Sequence, residues 1–352
     1  MISMRINPGV LSAISAGVLF GASTPLAKSL VHGIDPWMLA GLLYLGSGIG
    51  LGTYQALRHF LAPRTDDGRL RGADRWWLAA AISAGGIVAP VLMMYGLSAT
   101  AASSASLLLN LEGVFSILIA WFVFRENFDR RVALGVVAIT AGALLLSVNG
   151  RLAWGNAVGP AAIAGACLAW ALDNNLTRKV ALNDVAQIAM LKGLTAGSVN
   201  VAIAAVLGRA APDVAAALAA GAVGLGGYGL SLVLFVIALR YLGTARTGAY
   251  FSIAPFVGAL IAVVFYREPV TIQLVCAGVL MMLGLWLHLT ERHEHEHTHA
   301  PLTHNHLHVH DAHHQHDHIG QAGAEPHAHS HTHTPLRHAH PHYPDEHHRH
   351  EH

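Results

Sequence analysis

Long apolar stretches, broken at short polar intervals, fill the first 290 residues of this 352-residue chain. A helix needs roughly 17 to 25 predominantly apolar residues to cross a bilayer. Ten stretches meet that length, at 10–31, 36–57, 76–97, 102–124, 132–149, 157–177, 185–207, 217–239, 244–266 and 270–289. The pattern predicts an all-α membrane protein with ten transmembrane helices. Beyond 290 the pattern inverts. Residues 291–352 carry too few apolar side chains to offset the entropy of ordering, which predicts a tail that is disordered without metal.

Composition supports this reading. The chain is 53% hydrophobic and only 12% charged, with 36 glycines, which excludes an ordinary soluble domain. The first stretch runs into Pro25 and Lys28 without a cleavage site, so it reads as a span and not as a signal peptide. Cys167 and Cys276 lie within expected spans, form no CxxC, and read as small packing residues. There is no GxxxxGK[ST] loop for ATP, no Ser-His-Asp arrangement and no HExxH zinc motif. Neither an enzyme nor a nucleic-acid partner is expected.

Basic residues set the orientation. With the N-terminus inside, the inner segments hold Arg5, the run Arg58, Arg64, Arg69, Arg71 and Arg75, then Arg125, Arg130, Arg131, Arg178, Lys179, Arg240, Arg246 and Arg292. Only Lys28, Arg151, Arg209 and Arg267 fall outside. Ten spans return the C-terminus to the same side, so both termini are expected in the cytoplasm, with the chain in a bacterial-type inner membrane.

The two halves of the body resemble each other. Leu118-Ile-Ala-Trp-Phe-Val-Phe-Arg-Glu126 matches Leu260-Ile-Ala-Val-Val-Phe-Tyr-Arg-Glu268, with Gly135 and Gly278 following. A weaker echo pairs Phe20–Lys28 with Trp170–Arg178. Five spans per half is an odd number, so repeats at 1–149 and 150–290 would lie in opposite orientations. Inverted repeats of this kind mark secondary transporters, whose substrate site lies near the midplane.

The residues Ala27-Lys28, Arg125-Glu126, Ala254-Pro255 and Arg267-Glu268 make the body resemble the drug/metabolite transporter superfamily in its ten-span EamA form, over about 10–289. With the tail, the chain is also similar to the His-tailed nickel and cobalt resistance members. The resemblance implies export from the cytoplasm, but members carry amino acids, metabolites, drugs and other solutes. The chain departs from the family pattern at Glu112-Gly113, which stands where the second half has Ala254-Pro255.

Ionisable groups at membrane depth are costly and suggest function. Glu112 lies on a stripe with Ser104, Leu108, Ser116 and Ala120, and Asp173 on one with Gly165, Ala169 and Thr177. Both stripes have the i, i+4 spacing of a helix face turned to a cavity or a close neighbour. Lys192 shares a face with Ala196 and Asn200. One expectation is that Glu112 and Asp173 form a carboxylate pair for a divalent cation or for the protons exchanged against it. The structural alternative is a salt bridge in which Lys192 neutralises one of them. Asn110, Asn174 and Asn175 are cavity residues or interhelical hydrogen-bond partners. Pro25, Pro90 and Pro255 line a pathway or simply kink their spans, and Glu126 and Glu268 are expected as interfacial caps or salt bridges. His32, His59 and His288 have no expected metal role.

The tail holds 23 of the 26 histidines. They recur as His-x-His in His293, His295, His297 and His299 and in His304, His306, His308 and His310, followed by His313, His314, His316 and His318. Alternate residues of an extended segment share a side, so neighbouring imidazoles can close on one ion. Imidazole suits nickel, cobalt, zinc or copper better than magnesium or calcium. A purification tag would be a short unbroken run, whereas here Asp, Glu, Thr and Pro are interleaved throughout. A solvated tail with incidental metal affinity is the remaining bland reading.

The expectation is therefore a proton-coupled exporter of nickel, with or without cobalt, holding no permanent cofactor, its tail capturing metal at the inner side. The competing readings are an exporter of an organic metabolite or amino acid with a metal-responsive tail, and a membrane-tethered metal store that transports nothing. The expected partners are a divalent ion, protons and the bilayer. Oligomeric state is open, a homodimer included.

Overall fold

The computed structural model describes residues 8–61, 74–124, 130–147, 157–177 and 185–290 of the body. In the C-terminal segment it describes 294–299, 302–308, 327–333 and 336–341. The chain divides into two units, Met1–Thr290 and Glu291–His352.

All regular secondary structure among the body's described residues is helical. Its elements are α1 (Pro8–Val31), α2 (Pro36–Leu61), α3 (Asp74–Ala81), a π-helical segment (Ile82–Val88), α4 (Ala89–Ala99), α5 (Ala102–Leu108), α6 (Leu111–Phe124), α7 (Arg130–Ser147) and α8 (Val158–Thr177). There follow α9 (Val185–Val206), α10 (Val214–Gly224), a second π segment (Leu225–Leu230), α11 (Ser231–Phe251), α12 (Ala254–Phe265) and α13 (Ile272–Leu289).

Eight helical stretches among the described residues are long and apolar enough to cross a membrane: Pro8–Val31, Arg75–Ala99, Ala102–Val123, Arg130–Ser147, Ala186–Val206, Val214–Ala238, Thr247–Phe265 and Ile272–Leu289. The body is a multi-pass membrane protein. The expected count of ten is thus eight by this standard. The two others, α2 and α8, form helices where expected but are less apolar. Glycines 41, 46, 48, 50 and 52 with Tyr44 and Gln55 dilute α2, and Asp173, Asn174 and Asn175 dilute α8. The polar interval expected near 240–243 carries helical backbone, because α11 runs unbroken from Ser231 to Phe251.

Close helix approach explains the glycine content. A Cβ on Gly193 of α9 would come within 2.7 Å of the Gly48 backbone of α2, and one on Gly197 within 2.6 Å of Leu45 N. On the other side, Gly284 of α13 sits against Gly135 and Ile139 of α7. Small residues three or four apart let helices pack backbone to backbone where lipid offers no hydrophobic gradient.

The contacts pair up when the halves are exchanged. Helix α2 packs on α9, and α7 packs on α13. Helix α1 packs on α11 and α12, while α8 packs on α4 and α6. Local irregularities match as well. The offset that takes Leu118 to Leu260 takes Ile82 to Gly224 and Val88 to Leu230, so the two π segments hold equivalent places. Each closes with a wide i→i−5 bond, from Ala89 N to Ala84 O and from Ser231 N to Gly226 O. Adjacent glycines in both, Gly85-Gly86 and Gly226-Gly227, weaken the α-helix there.

The same offset aligns two interruptions. Leu109 and Asn110 separate α5 from α6, and Ser252 and Ile253 separate α11 from α12. At each, a polar side chain folds back on the carbonyl three residues earlier. Asn110 Nδ2 donates to Leu107 O at 2.8 Å, and Ser252 Oγ donates to Ala249 O at 2.7 Å. Such local bonds compete with the helical ladder, and Pro255 removes a further donor. The stripe expected to run from Ser104 through Glu112 to Ala120 is therefore split between two helices.

The second unit is not without secondary structure. Strand β1 (Glu294–His299) pairs antiparallel with β4 (Leu336–Pro341), and β2 (Leu302–His308) with β3 (His327–His333). The His-x-His alternation has the two-residue period of a strand. Both pairs keep one register, since continuing β1–β4 past His299↔Leu336 arrives at Leu302↔His333. Pro301 and Pro335, which have no N–H to donate, fall between the two pairs.

Candidate functional site

The first π segment organises a polar cluster inside the body. Its wide turn leaves carbonyls for side chains to use. Tyr44 OH of α2 donates to Gly85 O at 2.8 Å, and Trp170 Nε1 of α8 donates to the same oxygen at 3.0 Å. Asn200 Nδ2 of α9 donates to Gly86 O at 3.2 Å, and its own Oδ1 is buried with no partner. Gly85 lies against Asp173, and a Cβ there would run into that carboxyl group.

Asp173 anchors the charged part. Lys192 Nζ lies 2.6 Å from Asp173 Oδ1 and donates to Thr177 Oγ1 at 2.8 Å. Thr177 Oγ1 in turn donates to Asp173 Oδ1 at 2.9 Å. All three side chains are largely withdrawn from the surface, and their mutual bonds satisfy what an isolated buried charge would leave unpaired. The expected stripe on α8 is real to this extent: Asp173 and Thr177 share a face and touch. The face of α9 that bears Lys192, Ala196 and Asn200 is the one turned to this cluster.

Glu112 opens α6 directly after the interruption, in the first turn, where a helix N-terminus favours a negative charge. Asn174 Nδ2 donates to Glu112 Oε1 at 2.7 Å. Among the described residues Glu112 has no cationic partner. Cys167 Sγ contacts Leu108 O at 3.7 Å, tying α8 to the end of α5 beside the break. Glu112 and Asp173 are thus both near α8, but they have different partners: an amide for the first, a lysine and a threonine for the second. Among residues whose side chains are described, no group of three or more His, Cys, Asp or Glu gathers as a metal cage would require.

The asparagines divide. Asn174 belongs to the cluster. Asn175 donates to Ala171 O at 2.8 Å along its own helix, and Asn110 serves the α5–α6 break, with Met281 Sδ 3.9 Å away. Pro25 lies inside α1, whereas Pro90 follows the π segment at the start of α4 and Pro255 opens α12. Tyr44, Trp170 and the Gly85–Gly86 carbonyls were not singled out from sequence. The paired glycines at mid-span were the available signal.

Two of the family-like motifs, Lys28 and Arg267-Glu268, lie by the α4–α5 connection. Lys28 Nζ donates to Leu97 O, and Ser98 O lies 3.5 Å away. Arg267 adopts a left-handed conformation, φ 53°, past the end of α12. Glu268 follows it and caps α5, accepting from Ala102 N at 2.7 Å and Ser103 N at 2.8 Å. The expected cap role of Glu268 is what the structure has. Glu126 lies outside the described residues.

In the tail, five histidine pairs stand directly opposite one another: His295↔His340, His297↔His338, His304↔His331, His306↔His329 and His308↔His327. His299 stands opposite Leu336, and His333 opposite Leu302. Of the other expected ligands, His293, His310, His313, His314, His316 and His318 lie outside the described residues.

Comparison with known proteins agrees with the body. The model of the EamA-like transporter family matches residues 7–148 and again 157–290. An uncharacterized transporter of Methanothermobacter thermautotrophicus is 28% identical over 298 residues, 81% of this chain and 87% of that protein. A solved crystal structure aligns with a TM-score of 0.58 at 19% identity, over 79% of this chain and 97% of its own, and supports the fold alone. With a helical membrane body matched twice over by one family model, this chain belongs to the EamA-like transporter family.

Proposed function

We propose that this transporter is a ten-span secondary carrier that exports nickel, and cobalt with it, from the cytoplasm in exchange for protons, and so confers metal resistance. In this reading 1–149 and 150–290 are five-span repeats of opposite orientation, with α2 and α8 as the second and sixth spans. Both termini face the cytoplasm of a cell with a bacterial-type inner membrane, and 291–352 captures metal there. The observation that carries the reading is the row of facing histidines in the tail, because imidazole selects late first-row metals.

The core supplies weaker donors suited to release. The Glu112 carboxylate and the Asn174 amide oxygen would hold such an ion less tightly than a set of imidazoles. Lys192 compensates the charge of Asp173, which leaves Glu112 as the group that can exchange a proton for a metal ion. A carboxylate that takes up a proton gives up its cation. The test is nickel content in cells. Cells lacking the protein should accumulate more nickel, and the intact gene should reverse this. Glu112→Gln should not, while deletion of 291–352 should shift only the concentration at which export responds. A tail deletion that removes all protection, with Glu112→Gln harmless, would make the protein a store.

A second reading is favoured by the Asp173–Lys192 pair. An ammonium beside a carboxylate matches the two ends of an amino-acid zwitterion, which could part the pair and bind each half. In that case a panel of amino acids, and not nickel, should accumulate in cells lacking the protein.

A further inference from the structure

We infer that the tail binds metal across its strands, so that each site is assembled from histidines of both ends of the tail and metal binding and strand pairing are a single event. This rests on the reading of the tail as a metal-capture segment and gives that segment its sites.

Residues directly opposite in an antiparallel pair lie on the same face, and alternate residues along each strand do too. In the β1–β4 pair, His295, His297, His299, His338 and His340 therefore occupy one face. Glu294 and Glu296 take positions on the other face, so the histidine positions of β1 and β4 share a face with no acidic position among these two strands. In the β2–β3 pair, His304, His306, His308, His327, His329, His331 and His333 share a face, and Thr303, Asn305, Ser330 and Thr332 take the opposite one. His-x-His spacing alone does not require this, because two such strands paired one residue out of phase would present their histidines on opposite faces.

The phase is kept in an informative way. Histidine numbering passes from odd in β1 to even in β2, and from odd in β3 to even in β4. Each change comes at a proline-containing interval, and the two compensate, so the facing arrangement holds on both sides of the prolines. Opposite Cβ atoms in such a ladder stand about 5 Å apart, and successive same-face positions about 7 Å apart. A rectangle of four histidines on that scale can share one ion through bonds of about 2.0–2.1 Å. The quartet His295, His297, His338 and His340 makes one such site, and the six directly facing histidines of the inner pair, His304, His306, His308, His327, His329 and His331, make a second with donors to spare.

Energetics couples the two events. An isolated two-stranded ribbon is marginal in water, and β2 and β3 must close the intervening segment 309–326 at an entropic cost. An ion that binds only the paired form stabilises that form by mass action. Independent chelation by neighbours on one strand would have no such effect.

The experiment uses the full chain in lipid nanodiscs, titrated with nickel against a competing chelator. Three variants are compared: H304N/H306N/H308N, H327N/H329N/H331N and the six-fold combination. Cross-strand sites predict that either triple weakens the inner site at least ten-fold, with no further loss in the combination. Additive losses, each triple removing its own share, would overturn the proposal. A second readout places spin labels at Thr303→Cys and Thr332→Cys, register partners on the opposite face, with Cys167 and Cys276 replaced. Zinc should narrow and shorten their distance distribution. A distribution unchanged by zinc would overturn the coupling even if metal binds, and neither readout depends on whether the body transports.

Discussion

Gly85 meets Asp173, which Lys192 neutralises while Asn174 next to it holds Glu112, whereas Gly227, its equivalent in the second half, meets Ser23 beside the rings of Phe20 and Tyr228. The backbones are alike: a π segment, an interrupted helix following it, and a crossing helix pressed against the glycine. Gly85 meets Asp173 of α8, and Gly227 meets Ser23 of α1. The interruption in one half leads into Glu112-Gly113 and in the other into Ala254-Pro255. Ser23 donates to Phe20 O at 2.6 Å, and Phe20 and Tyr228 meet edge to face. The repeated backbone supplies a place where helices can part, and Glu112, Asp173 and Lys192, brought together at the first copy, give that place a polarity. Backbone irregularity alone is therefore not the site.

The largest expected effect comes from removing that asymmetry. Glu112→Gln should abolish proton-coupled export in vesicles while leaving the protein folded, and adding Ala254→Glu in the second half should not restore it. If the second carboxylate restores transport, the halves are interchangeable and the comparison fails.

Next comes the ion pair. Asp173→Asn leaves Lys192 charged and unmatched, and breaking one side of a buried pair costs about 3–5 kcal/mol. Thermal unfolding in detergent should show this loss, and Asp173→Asn with Lys192→Met should recover most of it. Failure of the double variant to recover would mean that the loss does not come from an unmatched Lys192.

Glycine substitutions sharpen the comparison on a smaller scale. Gly85→Ala drives a methyl group into Asp173 and should cost about 1–3 kcal/mol by overpacking. Gly226→Ala, in the second π segment, meets open space and should be neutral or stabilise by up to about 1 kcal/mol. The smallest effect is at the periphery. Glu268→Ala removes the cap on α5, a loss of about 1 kcal/mol, which should lower Tm by roughly 2–4 °C.

Much of this comparison could be read along the chain. The apolar stretches located the helices, and Glu112, Asp173 and Lys192 stood out because charge in a span is costly. The partner of Asp173 was one of two readings, and only the fold brings Lys192 to it across α8 and α9. The π segments and helix breaks were hidden, because a single glycine pair or one Asn gives no periodic signal. Their matching positions emerge only when both halves are seen in space. The strand pairing in the tail was hidden for a related reason. Alternation along one strand was visible, but the facing register depends on pairing His304 with His331, a long-range choice that local composition does not encode.

The central claim is that the charged junction around Glu112 moves a late transition-metal ion against protons. Purified protein in liposomes, with a nickel-sensitive dye inside and an imposed pH difference, tests it directly. The account predicts nickel flux that requires the proton gradient, persists when 291–352 is deleted and disappears in Glu112→Gln. Absence of nickel, cobalt or zinc flux in the intact protein under that gradient would contradict it.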